Sequence, residues 1–136
     1  MSFLEQQFKL FKNLFEKKNT NSLNETDDYY DNLMKEITFN LSNLLDEKKY
    51  TLLNVVTSIK DDITSVDDES RQCSLEYLSI ILSNIKNDTL LNNECNVIFD
   101  FFLSKILNSS IDFYCFKQIL NSFKTILTFE FLQKSF

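Results

Sequence analysis

The chain has 136 residues, 43% of them hydrophobic, with a formal net charge of -6, enough apolar content for one ordered domain with a real core. Gly and Pro are both absent, although average usage would supply roughly 9 and 7; this excludes Gly-rich phosphate loops and two-residue Gly hairpins and leaves an all-α reading in which Asn, Ser and Asp make the turns. A pI near 4.6 with scattered lysines disfavours direct nucleic-acid binding.

Taken in chain order, Ser2 to Lys18 is expected to be a helix with Leu4, Phe8, Phe11 and Phe15 on one stripe, broadened by Phe3 and Leu14. The stripe is read as a buried face, since the helix is short and not strongly basic. Residues 19 to 28, NTNSLNETDD, read as a flexible loop. A second helix, about Asp28 to Glu47, turns Leu33, Met34, Ile37, Leu41, Leu44 and Leu45 inward and packs on the first, making residues 1–48 an N-terminal helical pair.

Residues 50–86 read as a helical hairpin around which the remainder is arranged. Leu52, Leu53, Val55, Val56, Ile59 and Ile63 recur at three- and four-residue steps; Cys73, Tyr77, Leu78, Ile81, Leu82 and Ile85 do so after the polar break Ser65-Val66-Asp67-Asp68-Glu69-Ser70. Asp and Ser in that break can cap a new helix, whose positive end also suits acids. A second hairpin is expected over residues 90–127, with Cys95, Ile98, Phe99, Phe102 and Ile106 on its first helix and Phe116, Ile119, Leu120, Phe123, Ile126 and Leu127 on its second. The two hairpins start near Thr51 and Asn92, about 41 residues apart, inside the roughly 40 to 47 of HEAT and armadillo repeats. The fold class is therefore all-α: a single domain of stacked helical hairpins of the HEAT-type α-solenoid, with about six helices. Residues 128–136 read as the start of a further helix. Ile126, Leu127, Phe129, Phe131, Leu132 and Phe136 crowd that end, so the chain is expected to lack C-terminal repeats of its own and to self-associate there in isolation.

Asp67-x3-Arg71-x2-Ser74-x3-Leu78 is close to the D-x-x-V-R-x-x-A-x-x-x-L pattern opening the second helix of a HEAT repeat. Arg71 is the only arginine among 14 basic residues, which points to a site wanting a planar fork, with a solvated surface residue as the plainer reading. Asp67, Asp68, Arg71 and Leu78 are accordingly the candidate turn and ladder residues. In combination, Tyr50-Thr51 with Val55-Val56, then Arg71 with Leu78, then Phe101-Phe102-Leu103, resembles in order and spacing the N-terminal region of one family. That family is the large HEAT-repeat adaptor of the cytosolic iron-sulfur targeting complex, first named as a DNA repair and transcription protein from methyl methanesulfonate sensitivity. Roughly 80 of the 136 residues carry the resemblance. Ser74 departs from it, standing where glycine is usual, as does Ser104-Lys105-Ile106-Leu107-Asn108, which replaces a basic stretch; residues 1–45 match nothing in it.

Chemistry is sparse. Histidine is absent, which removes the commonest acid/base group and metal nitrogen. The acids, Asp27-Asp28, Asp61-Asp62 and Asp67-Asp68-Glu69, read as solvated or capping runs without calcium-loop spacing. Cys73, Cys95 and Cys115, separated by 22 and 20 residues with no C-x2-C pair, read as reduced apolar thiols and not cluster ligands. No catalytic, cofactor-binding or metal residue is assigned, no cofactor is expected, and no apolar run is long enough to span a membrane.

The resemblance implies a non-enzymatic adaptor segment, cytoplasmic and nuclear, whose partners are iron-sulfur assembly components and apo-protein clients of DNA repair, replication and transcription, with no direct nucleic-acid or membrane contact. If Asp61, Asp62, Asp67 and Asp68 share a rim, it would attract basic partners. The competing readings are a compact viral-type helical bundle that modulates host proteins, and a HEAT segment of a trafficking scaffold.

Overall fold

The computed structural model describes residues 2–20, 27–86 and 100. The helices expected beyond residue 87, the apolar C-terminal end, Cys95 and Cys115 lie outside the described residues, as does most of the 19–28 loop. Among the described residues the secondary structure is all helix: α1 (Phe3–Thr20), α2 (Asp27–Asp46), α3 (Leu52–Ser58), α4 (Lys60–Ile63) and α5 (Asp68–Asn84).

α1 buries Leu4, Phe8, Phe11 and Phe15, one residue per turn, against α2, α3 and α5. Phe3 stays largely exposed but stacks on Tyr50, with ring centroids 5.8 Å apart. On α2 the buried face is Met34, Thr38, Leu41, Ser42 and Leu45, while Leu33, Ile37 and Leu44 are half-buried at its flanks. Two hydroxyls therefore sit within what the sequence pattern reads as an apolar stripe. They fit because each reaches a carbonyl one turn back: Thr38 Oγ1 donates to the Met34 carbonyl (3.0 Å) and Ser42 Oγ lies 2.9 Å from the Thr38 carbonyl. Ser42 Oγ also lies 3.1 Å from the Ile81 carbonyl, so its single proton is shared between α2 and α5.

α2 ends in a Schellman arrangement. Lys49 N donates to the Leu44 carbonyl and Lys48 N to the Leu45 carbonyl, both at 3.0 Å, and Lys48 takes the left-handed conformation with φ 62°. Glycine ordinarily fills that position; with none in the chain, a lysine does.

The first half of the hairpin is not one helix. α3 starts in a capping box, in which Asn54 N donates to Thr51 Oγ1 (3.1 Å) and Thr51 N donates to Asn54 Oδ1 (3.0 Å). It stops at Ile59 (φ -112°, ψ 9°), where α4 begins. Just before the break, the Thr57 and Ser58 hydroxyls donate to the Leu53 (2.8 Å) and Val55 (2.6 Å) carbonyls, bonds that compete with the helical ladder. The break lets α3 pack on α1 while α4 packs on α5, in place of one helix facing α5 throughout.

α5 is the central element, touching α1, α2 and α4. It buries Cys73, Ser74, Leu75, Tyr77, Leu78, Ile81 and Leu82, more of its circumference than a single stripe. The Tyr77 ring lies between Phe8 and Phe11, at centroid distances of 5.0 and 4.9 Å in tilted geometry. Its hydroxyl is buried and has no hydrogen-bond partner among the described residues.

Candidate functional site

The residues singled out from the sequence converge on the turn between α4 and α5. Ile63 anchors one side in the core, and Thr64 to Val66 cross over at the surface, with Val66 97% exposed. Asp67, extended at φ -76° and ψ 121°, is the N-cap of α5: its carboxylate accepts from Ser70 N (3.0 Å) and Ser70 Oγ (2.8 Å). These two bonds stabilise the ionised form and hold the carboxyl below its ordinary pKa.

Arg71, one turn into α5, reaches back over the cap. Its Nη1 donates to the Ser65 carbonyl at 2.9 Å, its Nη2 pairs with the Asp68 carboxylate, and its side chain is only 17% exposed. The planar fork thus ties the last residues of the turn to the first turn of the helix through two separate nitrogens. Ser74, three residues on, is fully buried and donates to the Arg71 carbonyl at 2.9 Å. Serine stands there in place of glycine with its hydroxyl satisfied inside the helix. Leu78 belongs elsewhere: it is buried in the core two turns along and does not touch the turn chemistry.

One partner of this region has no local signal in the sequence. Lys12 of α1 reaches across to Asp62 of α4, Nζ to Oδ1 2.8 Å, both side chains half-buried. The hydrogen bond to Asp62 holds the Lys12 ammonium above its ordinary pKa against the opposing effect of burial. The acidic rim is therefore partly neutralised from within: Asp62 is engaged by Lys12 and the exposed Asp68 by Arg71, while Asp61, Asp67 and Glu69 are exposed as well. Only residues fifty apart in sequence make the Lys12–Asp62 pair, so periodicity within one helix could not disclose it.

Beneath the turn, Cys73 is a fully buried thiol whose pKa burial pushes up, the reverse of what a nucleophile or metal ligand needs. Among the described residues no group of three His, Cys, Asp or Glu side chains could hold a metal ion, and no helix is long and apolar enough to cross a membrane. What the arrangement does is fix the angle between two packed helical segments and present a mixed-charge edge.

These features define a segment of an all-helical repeat protein built from packed hairpins. The chain belongs to the family described as Dos2-interacting transcription regulator of RNA-Pol-II, MMS19_N, whose family model matches residues 56–135. It is similar to the DNA repair/transcription protein MMS19 of Saccharomyces cerevisiae, 28% identical over 102 residues, which is 75% of this chain and 10% of that protein. The chain thus spans about a tenth of the length of the curated relative it matches. No solved structure matches it.

Proposed function

We propose that this chain is a non-enzymatic scaffold segment of an adaptor in cytosolic iron-sulfur protein assembly, which helps direct cluster insertion to apo-proteins of DNA repair, replication and transcription in the cytoplasm and nucleus. The observation that carries the reading is membership of the family across residues 56–135, joined to similarity with a relative named for DNA repair and transcription. The structure supports it through its type: packed helical hairpins expose long side-chain faces suited to protein docking. Its partners are proteins, namely assembly components and apo-clients, and the acidic balance disfavours phosphate backbones.

The test is affinity capture of the tagged chain from its own host, combined with its depletion. Recovery of iron-sulfur assembly components or apo-clients, and a fall in the cluster content of those clients on depletion, are the expected results. Salt-sensitive DNA binding at micromolar concentration, with no assembly factor recovered and client cluster content unchanged, would overturn the proposal.

A further inference from the structure

The α4–α5 turn carries a serine whose surroundings differ from those of the other hydroxyls near it. Thr57, Ser58, Thr64 and Ser74 each donate to a carbonyl three or four residues back, at Leu53, Val55, Lys60 and Arg71, so their protons are engaged in the helices. Ser65, half-buried between the exposed Thr64 and Val66, is arranged the other way: its Oγ accepts from Asp67 N at 3.0 Å, and no helical carbonyl takes its proton among the described residues. Two, three and four positions on stand Asp67, Asp68 and Glu69, all exposed. Carboxylates displayed on the C-terminal side of a serine are the charge pattern by which an acidophilic kinase with a basic cleft selects its substrate. Two cations flank the same turn from within the fold. Arg71 already bonds the Ser65 carbonyl, and Lys12 Nζ bonds Asp62 Oδ1, three residues before Ser65, at 2.8 Å.

We infer that Ser65 is the acceptor site of an acidophilic serine kinase, and that the phosphoserine formed there is held by the Arg71 guanidinium. In the transfer, Ser65 Oγ forms a bond to the γ-phosphorus of ATP as the bond from that phosphorus to the β,γ-bridging oxygen breaks. ADP leaves, and the hydroxyl proton passes to the kinase's carboxylate base. The product adds nearly two negative charges and three strong acceptor oxygens. Arg71, which now bonds the Ser65 carbonyl and Asp68, turns to the dianion as the stronger bidentate partner and leaves the exposed Asp68 carboxylate without its guanidinium. The edge becomes markedly more acidic without a change of fold, favouring basic protein partners over neutral ones. This inference is independent of any role in iron-sulfur assembly.

The 136-residue chain, incubated with ATP, Mg2+ and a casein-type acidophilic kinase, is digested and its phosphopeptides sequenced by mass spectrometry. Phosphate is expected at Ser65. It should be lost in Ser65→Ala, with the variant's circular dichroism showing that the helices persist, and slowed at least about tenfold in Asp68→Asn/Glu69→Gln, which leaves Ser65 in place. The second half is read by 31P NMR titration of the phosphorylated chain, folded and in urea. Holding by Arg71 lowers the phosphate's second pKa in the folded chain by about one unit relative to urea, whereas dominance of Asp67, Asp68 and Glu69 raises it. Phosphate only at other residues, no phosphorylation, or a rate indifferent to Asp68 and Glu69 would overturn the assignment of the site; an unchanged or raised pKa would overturn the role of Arg71.

Discussion

Arg71 Nη1 donates to the Ser65 carbonyl across the α4–α5 turn at 2.9 Å, a bond made by the chain's only arginine to a residue six positions before it. Truncation of a charged donor in a mostly buried setting costs about 1 to 3 kcal/mol. Arg71→Ala should therefore lower the urea midpoint with an unchanged slope, and Arg71→Lys should recover only part, since lysine offers one nitrogen in place of the two that serve Ser65 and Asp68. A wild-type midpoint for Arg71→Ala would remove this structural role.

Lys48 provides a gain in place of a loss. Its left-handed backbone costs a residue with a Cβ roughly 1 kcal/mol or more, which glycine escapes. Lys48→Gly is expected to stabilise the chain by about 1 kcal/mol and to raise the thermal midpoint; Lys48→Ala should give no such gain. A destabilised glycine variant would show that the lysine side chain contributes more than the backbone strain removes.

The cap at Asp67 predicts a pH dependence. Its carboxyl is held below the ordinary value of 3.8 by the Ser70 bonds, so its contribution is complete above about pH 5 and is lost as pH falls through the depressed folded-state pKa. Asn caps as well as Asp but does not titrate in this range. The stability difference between wild type and Asp67→Asn should be flat from about pH 5 to 7 and shift against the wild type at lower pH. An acid limb identical in both proteins, followed by chemical denaturation at each pH, would exclude the cap as its source.

Tyr77 separates ring from hydroxyl. The ring is clasped by Phe8 and Phe11, and the hydroxyl is buried without a partner among the described residues. Tyr77→Phe should be neutral or stabilising, because it removes a desolvated polar group and little packing. Tyr77→Ala should cost about 3 to 5 kcal/mol through the cavity it leaves. A strongly destabilised Tyr77→Phe would reveal a partner for the hydroxyl.

Among the described residues up to 86, the course of the chain is legible where apolar side chains recur with helical period. Leu4, Phe8, Phe11 and Phe15 are buried as their spacing predicts, and so are Cys73, Tyr77, Leu78, Ile81, Leu82 and Ile85. Where periodicity falls short, the deciding groups are hydroxyls. Thr38 and Ser42 are buried although polar, because local carbonyls satisfy them, and what periodicity alone joins into one helix is divided at Ile59, directly after the carbonyl-bonded Thr57 and Ser58. Leu53 and Phe3, counted among the apolar stripes, are substantially exposed, at 48% and 43%. At the turn, Asp67 and Arg71 announce themselves by a local pattern. Lys12 does not, since its partnership with Asp62 exists only once α1 and α4 have been packed together.

The burial of Cys73 gives the molecule a clock. A thiol with no exposed surface, seated on the helix that touches α1, α2 and α4, can meet an alkylating reagent only after α5 has come away from its neighbours. Its rate of modification, followed on its own peptide, therefore counts those openings one by one. At low reagent concentration the rate reports the free energy of opening, and at high concentration the opening rate itself, so a single native side chain measures both how far and how fast the central helix lets go.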